Sequence, residues 1–101
     1  KWFKKNLTNL KSNIFILENE RAEPVGTIRS DEIDSNSYLL SWNISPSHRR
    51  KGYGSLILNR FLQTRGGLFT AEIKPENLAS IKMVEKNGFK KVNEQTYIKK
   101  L

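Results

Sequence analysis

The sequence predicts a mixed α/β domain, a mostly antiparallel sheet flanked by helices. Short apolar runs bounded by turn residues recur along its 101 residues, and two segments carry helical spacing with start and stop signals. The resulting order, three strands, a helix, a strand, a helix and two strands, requires a sheet with helices packed against it.

Each element has its own signal. Ile14-Phe15-Ile16-Leu17 and Val25-Gly26-Thr27-Ile28-Arg29 are apolar runs separated by Glu18-Asn19-Glu20 and Pro24, the pattern of a hairpin. A third strand covers residues 38–44 and stops at Ser45-Pro46-Ser47, because proline cannot donate to a ladder. From Tyr53, Leu56, Ile57, Leu58, Phe61 and Leu62 recur at helical spacing, and Arg65-Gly66-Gly67 ends that helix. A strand over residues 68–73 closes at Pro75, and Asn77 is placed to cap a second helix through Leu78, Ile81, Val84 and Glu85. Asn87-Gly88 stops that helix, and residues 89–92 and 96–98 form two last short strands. Trp2-Phe3 reads as the tail of a helix, and Asp31, Glu32 and Asp34 as an acidic turn, either solvated or able to receive a cationic amine.

Composition narrows the chemistry. Hydrophobic residues are 37% and charged residues 28%, ordinary values for one small folded domain spanning residues 1–101. No apolar run is long enough to span a membrane, and neither a repeat nor a linker interrupts the chain. With no cysteine and one histidine, disulfides, a thiol nucleophile and a zinc cluster are excluded, no metal site is expected, and a cytoplasmic location fits. Eighteen Lys+Arg against ten Asp+Glu give +8, which favours an anionic partner. Much of that excess, including Lys1, Lys4, Lys5, Lys99 and Lys100, sits near the termini, where a solvated face is the plain explanation. Lys1 in place of an initiator methionine leads us to expect a piece of a longer chain.

The densest chemical signal is Arg49-Arg50-Lys51-Gly52-Tyr53-Gly54, which puts three cations and two glycines where a strand gives way to a helix. A helix N-terminus offers unpaired N–H groups and a positive dipole end, and glycine lets an anion approach the backbone. The spacing is neither the dinucleotide fingerprint nor the P-loop. His48, just before it, reads as an exposed turn residue.

This loop resembles the pyrophosphate loop of the GCN5-related N-acetyltransferases. Ala71-Glu72-Ile73-Lys74-Pro75-Glu76-Asn77-Leu78-Ala79-Ser80 and Glu85-Lys86-Asn87-Gly88-Phe89 resemble a second motif of the same family, in the family's order, and the likeness runs over residues 25–92. The resemblance implies an acyl-CoA N-acyltransferase fold lacking part of its N-terminal region, with acetyl-coenzyme A (acetyl-CoA) as cofactor. By position, Trp42, Asn43 and Ile44 match the strand that pairs with the pantetheine arm, with the Ile44 N–H polarising the thioester carbonyl. Arg50, Lys51, Gly52, Tyr53, Gly54 and Ser55 match the pyrophosphate segment, to which Arg49 adds charge. Asn77 matches the asparagine that bonds the cofactor arm, although it is equally placed to be a plain helix cap, and Ser80 is a weaker match of the same kind.

Glu72 matches a carboxylate used as general base by ribosomal-protein alanine acetyltransferases, and an ordinary solvent-facing strand residue is the alternative. Val84 stands where many members carry a tyrosine that protonates the leaving thiolate. The acceptor implied is a small-molecule primary amine, and the details around Trp42 and Pro75 look most like acyltransferases of nucleotide-sugar and surface-polysaccharide synthesis, whose acceptor is a nucleotide-linked amino sugar. A ribosomal-protein or protein N-terminal acetyltransferase, and a non-catalytic CoA- or nucleotide-binding module, remain as alternatives. Neither nucleic acid nor membrane is an expected partner, since most aromatics lie in apolar runs rather than among exposed basic residues. A homodimer is compatible with this reading.

Overall fold

The computed structural model describes residues 2–6, 12–49 and 51–101, with side chains from Ser12 onward. Its strands are β1 (Trp2–Asn6), β2 (Ser12–Glu18), β3 (Pro24–Asp34), β4 (Ser37–Ile44), β5 (Leu68–Glu72), β6 (Lys90–Lys91) and β7 (Thr96–Lys100). The helices are α1 (Tyr53–Leu62) and α2 (Leu78–Lys86), and a 3-10 turn covers Pro46–His48. All seven strands join one sheet in the order β1-β2-β3-β4-β5-β7-β6. Among the described residues only β4 and β5 pair in parallel, as their connection through α1 requires. Among the described residues no helix is long and apolar enough to cross a membrane.

Two expectations fail for reasons of pairing. Trp2 and Phe3 lie in strand β1, not in a helix, because the backbone of β1 finds an antiparallel partner in β2, with Trp2 opposite Leu17. Asp31, Glu32 and Asp34 are not a turn. They continue β3, opposite Leu39, Tyr38 and Ser37, and the chain reverses at Ser35 and Asn36 instead, Asn36 taking a φ of 57°. A register shift between Glu32 and Asp34 leaves Ile33 58% exposed. Nor is Asp31 available to a cationic amine: it accepts from the buried Ser12 hydroxyl and from Arg29 Nε at 3.0 Å. Burial raises its pKa, but those hydrogen bonds and the guanidinium charge outweigh it and hold the carboxyl below its ordinary value.

The core is one cluster shared by sheet and helices. Ile57, Leu58, Phe61 and Leu62, spaced along one face of α1, are buried, and α1 packs against β3 and β4. Phe61 meets Phe15 and Phe69 edge to face, with ring centroids 5.4 and 5.9 Å away, an arrangement worth ~0.5–1.5 kcal/mol per pair beyond area burial. From α2, Met83 and Val84 enter the same cluster, and Tyr97 of β7 closes it.

The feature that shapes the site is a parting of two strands. The β4–β5 ladder runs from Ser37 opposite Leu68 to Leu40 opposite Ala71 and stops. Beyond it, β5 stays with β7, where Glu72 pairs with Thr96 and the Ile73 N–H donates to Gln95 O at 2.8 Å. Residues 41–44 therefore line a fork with β3 on one side and no strand on the other.

Candidate cofactor cleft and active site

Between the free end of β4 and the two helices lies a cleft of about 620 Å³. Its β4 wall is fixed by register. Ser45 N–H donates to Val25 O at 2.9 Å, so the opposed Gly26 and Ile44 form a pair that does not exchange hydrogen bonds. Ile44 consequently turns its own N–H and C=O away from β3, toward the fork, as does Trp42 two residues earlier. Glycine at position 26 matters here, because a Cβ would meet Ile44 Cδ1 at 2.7 Å. The Ile44 carbonyl accepts from Arg49 Nε at 3.1 Å.

The second wall is the start of α1. Gly52 caps it with φ 80°, a left-handed conformation that favours glycine, and has no side chain to satisfy the helix end. The first helical bond is Leu56 N–H to Gly52 O, so the N–H groups of Tyr53, Gly54 and Ser55 lie ahead of any intrahelical acceptor. No acidic residue stands in that first turn. These three residues line the cleft, and their free donors and the dipole end make a ready site for phosphate oxygens.

The third wall is α2. Asn77 caps it, its Oδ1 accepting from Ser80 N–H at 3.2 Å, while its amide donors are not used by the cap. Trp42 Nε1 donates to Ser80 Oγ at 3.2 Å, which ties the free end of β4 to the first turn of α2. At the other end, Asn87 donates through Nδ2 to Ser55 Oγ at 3.1 Å and to Met83 O at 2.8 Å, so the end of α2 is fastened to the start of α1. The cap reading of Asn77 is thus realised, and both it and Ser80 also line the cleft.

Of the residues expected from sequence, Trp42, Asn43, Ile44, Arg49, Gly52, Tyr53, Gly54, Ser55, Asn77 and Ser80 all line this one cleft. Lys51 is exposed and does not line it, and Arg50 lies outside the described residues. Glu72 is exposed and off the cleft wall. It stands one residue beyond Ala71, at the point where β5 parts from β4.

Sequence reasoning missed several contributors. His48 lines the cleft rather than pointing away, with Nδ1 3.1 Å from Ser47 Oγ and its ring packed edge-on to Tyr53. Ala79, Lys82, Met83 and Lys86 line it from α2. The signal was available in the helical period: Ala79, Met83 and Lys86 share a face, and Lys82 borders it. Val84 does not line the cleft: the helical period sets it only about 40° from Ser80, but it is fully buried in the core.

No described carboxylate lines the cleft, whereas Arg49, Lys82 and Lys86 do, so the wall is suited to an anion. Among the described residues no cluster of His, Asp and Glu is fit to hold a metal ion.

The model of the acetyltransferase (GNAT) family matches residues 2–89. No curated protein sequence matches the chain. Among solved structures, mutant forms of the spermidine/spermine N-acetyltransferase SpeG of Vibrio cholerae superpose with a TM-score of 0.76 at 17% identity, covering 92% of this chain and 69% of that one. The Vibrio cholerae spermidine N-acetyltransferase in complex with CoA and spermine gives 0.75 at 18% identity, covering 88% and 63%. Its dodecameric intermediate state gives 0.79 at 18% identity, covering 91% and 66%. This chain spans about two thirds of the length of those proteins, and at such identity the likeness speaks for the fold. On the family match over most of its length, the chain belongs to the acetyltransferase (GNAT) family of acetyl-CoA-dependent N-acetyltransferases.

Proposed function

We propose that this chain transfers an acetyl group from acetyl-CoA to a primary amine, with the cofactor seated in the cleft between β4, α1 and α2. The observation that carries this reading is the convergence of three free N–H groups at the start of α1 with the outward-turned backbone of Ile44, in one cleft without a described carboxylate. Acetyl-CoA supplies the activated thioester that an amine nitrogen attacks directly.

The remaining work falls to the chain. The amides of Tyr53, Gly54 and Ser55 hold the pyrophosphate, with Arg49, Arg50 and Lys51 adding attraction. Trp42 and Ile44 align the pantetheine arm along the fork, and the Ile44 N–H stabilises negative charge on the thioester oxygen as the C–N bond forms and the C–S bond breaks. Asn77 contributes its unused amide donors. Glu72, at the fork, takes the proton released by the amine. Val84 is no proton donor, and the thiolate leaves unaided, as a thiol with a pKa near roughly 8.5 permits.

For the acceptor, the expected nucleotide-linked amino sugar finds no support among the solved neighbours, which act on spermidine and spermine. We place an aliphatic polyamine first. The cationic cleft repels such a molecule, so it approaches from the exposed side of β5, where Glu72 stands. Calorimetry with acetyl-CoA, followed by thiol-release assays with spermidine, an amino-sugar nucleotide and an N-terminal peptide, tests the reading. Acetyl-CoA binding with turnover on spermidine supports it. No acetyl-CoA binding by the folded chain overturns it, and turnover on another amine alone overturns the acceptor.

A further inference from the structure

The α1 amides account for the pyrophosphate, yet the cleft has a second cationic source on the opposite wall. Lys82 and Lys86 lie one turn apart on α2, both exposed, both lining the cleft. Among the described residues neither has an acidic partner within ion-pair distance. Lys86 in the last turn of α2 suits the helix dipole, but Lys82 in the middle has no such reason to be basic. Their position relative to α1 is fixed: Asn87, the next residue after Lys86, donates to Ser55 Oγ at 3.1 Å. The pair therefore shares one cleft with the amides of α1.

CoA carries one phosphate that the amides do not use. Its 3′-phosphate is a dianion on the ribose, one sugar ring from the pyrophosphate, and a flexible ammonium suits it as a point charge. We propose that Lys82 and Lys86 bind the 3′-phosphate and make the cleft selective for CoA over 3′-dephospho-CoA. The inference rests on the proposed cofactor pose, and its test separates the two.

The test is calorimetry of acetyl-CoA and its 3′-dephospho analogue with the unaltered chain, Lys82→Gln, Lys86→Gln and the double variant, with Lys90→Gln as an exposed control outside the cleft. Glutamine keeps helix propensity, so folding is retained. Exposed charge pairs each contribute modestly, so the two lysines together give about tenfold preference for acetyl-CoA at low salt, less at high salt. The double variant is expected to lose that preference while binding the dephospho analogue as tightly as the unaltered chain does. Equal weakening toward both ligands in the double variant overturns the assignment, because the lysines then act on the pyrophosphate. An unaltered chain that binds both ligands equally well overturns it too, while leaving the cofactor pose standing. Binding of neither ligand defeats the cofactor pose and this inference with it.

Discussion

Trp42 and Ser80, both lining the cleft, are joined by a hydrogen bond of 3.2 Å from the indole Nε1 to the hydroxyl. It is the direct tie between the free end of β4 and the first turn of α2. Ser80→Ala leaves a part-buried indole N–H without its partner, at a cost of about 1 kcal/mol. The expected outcome is a lower melting temperature together with several-fold weaker acetyl-CoA binding, restored by Ser80→Thr. Unchanged affinity in Ser80→Ala shows that the tie does not shape the cleft.

Gly54 lines the cleft and is crowded. A Cβ there would meet Met83 Sδ at 2.7 Å, with Ile44 Cγ1 3.8 Å away. Gly54→Ala displaces only the end of a flexible methionine and is expected to bind acetyl-CoA measurably but more weakly. Gly54→Glu adds negative charge at the proposed phosphate amides and is expected to abolish calorimetric binding in a folded protein. Retention of full affinity by that variant rules out the pose.

Glu72→Gln keeps size and removes the proposed base. Turnover is expected to fall on the order of a hundredfold at pH 7, with the acetyl-CoA affinity unchanged. The deficit narrows at alkaline pH, where more of the amine is already neutral. A turnover ratio near one at pH 7 places the proton acceptor elsewhere.

Val84→Tyr does not create an acid beside the sulfur, because position 84 is fully buried in the core and does not line the cleft. Overpacking of this kind costs ~1–3 kcal/mol. A lower melting temperature and no gain in turnover are expected. A stable, faster enzyme would contradict the burial of this position.

Asp31 couples folding to acid. Its carboxyl is held below the ordinary value of 3.8 by Ser12 and Arg29. A depressed folded-state pKa adds stability that is complete above the unfolded value and lost as pH falls through the lowered folded one. Denaturant midpoints are therefore expected to drop below about pH 4 in the unaltered chain, and to drop less in Asp31→Asn. Parallel curves for the two proteins would remove Asp31 from the acid response.

What the sequence determined by itself is what short-range physics determines. Gly52 and the apolar period after it set where α1 starts, Asn77 capped α2 as its side chain predicted, and proline and glycine placed the strand ends, because capping and backbone freedom depend on neighbours a few residues away. The candidate site was legible for the same reason, since its proposed anion-binding part is a helix start. Tertiary structure decided everything that depends on distant partners. Trp2 and Phe3 joined a strand because β2 was there to pair with them, and Asp31 lay in a strand because Leu39 stood opposite. The fork at Leu40 exists because β5 follows β7. Lys82 and Lys86 became cleft residues, and Val84 a core residue, once α2 had docked against α1 and the sheet. Helical period told which side chains share a face, but only the packing of α2 chose which face met the cleft.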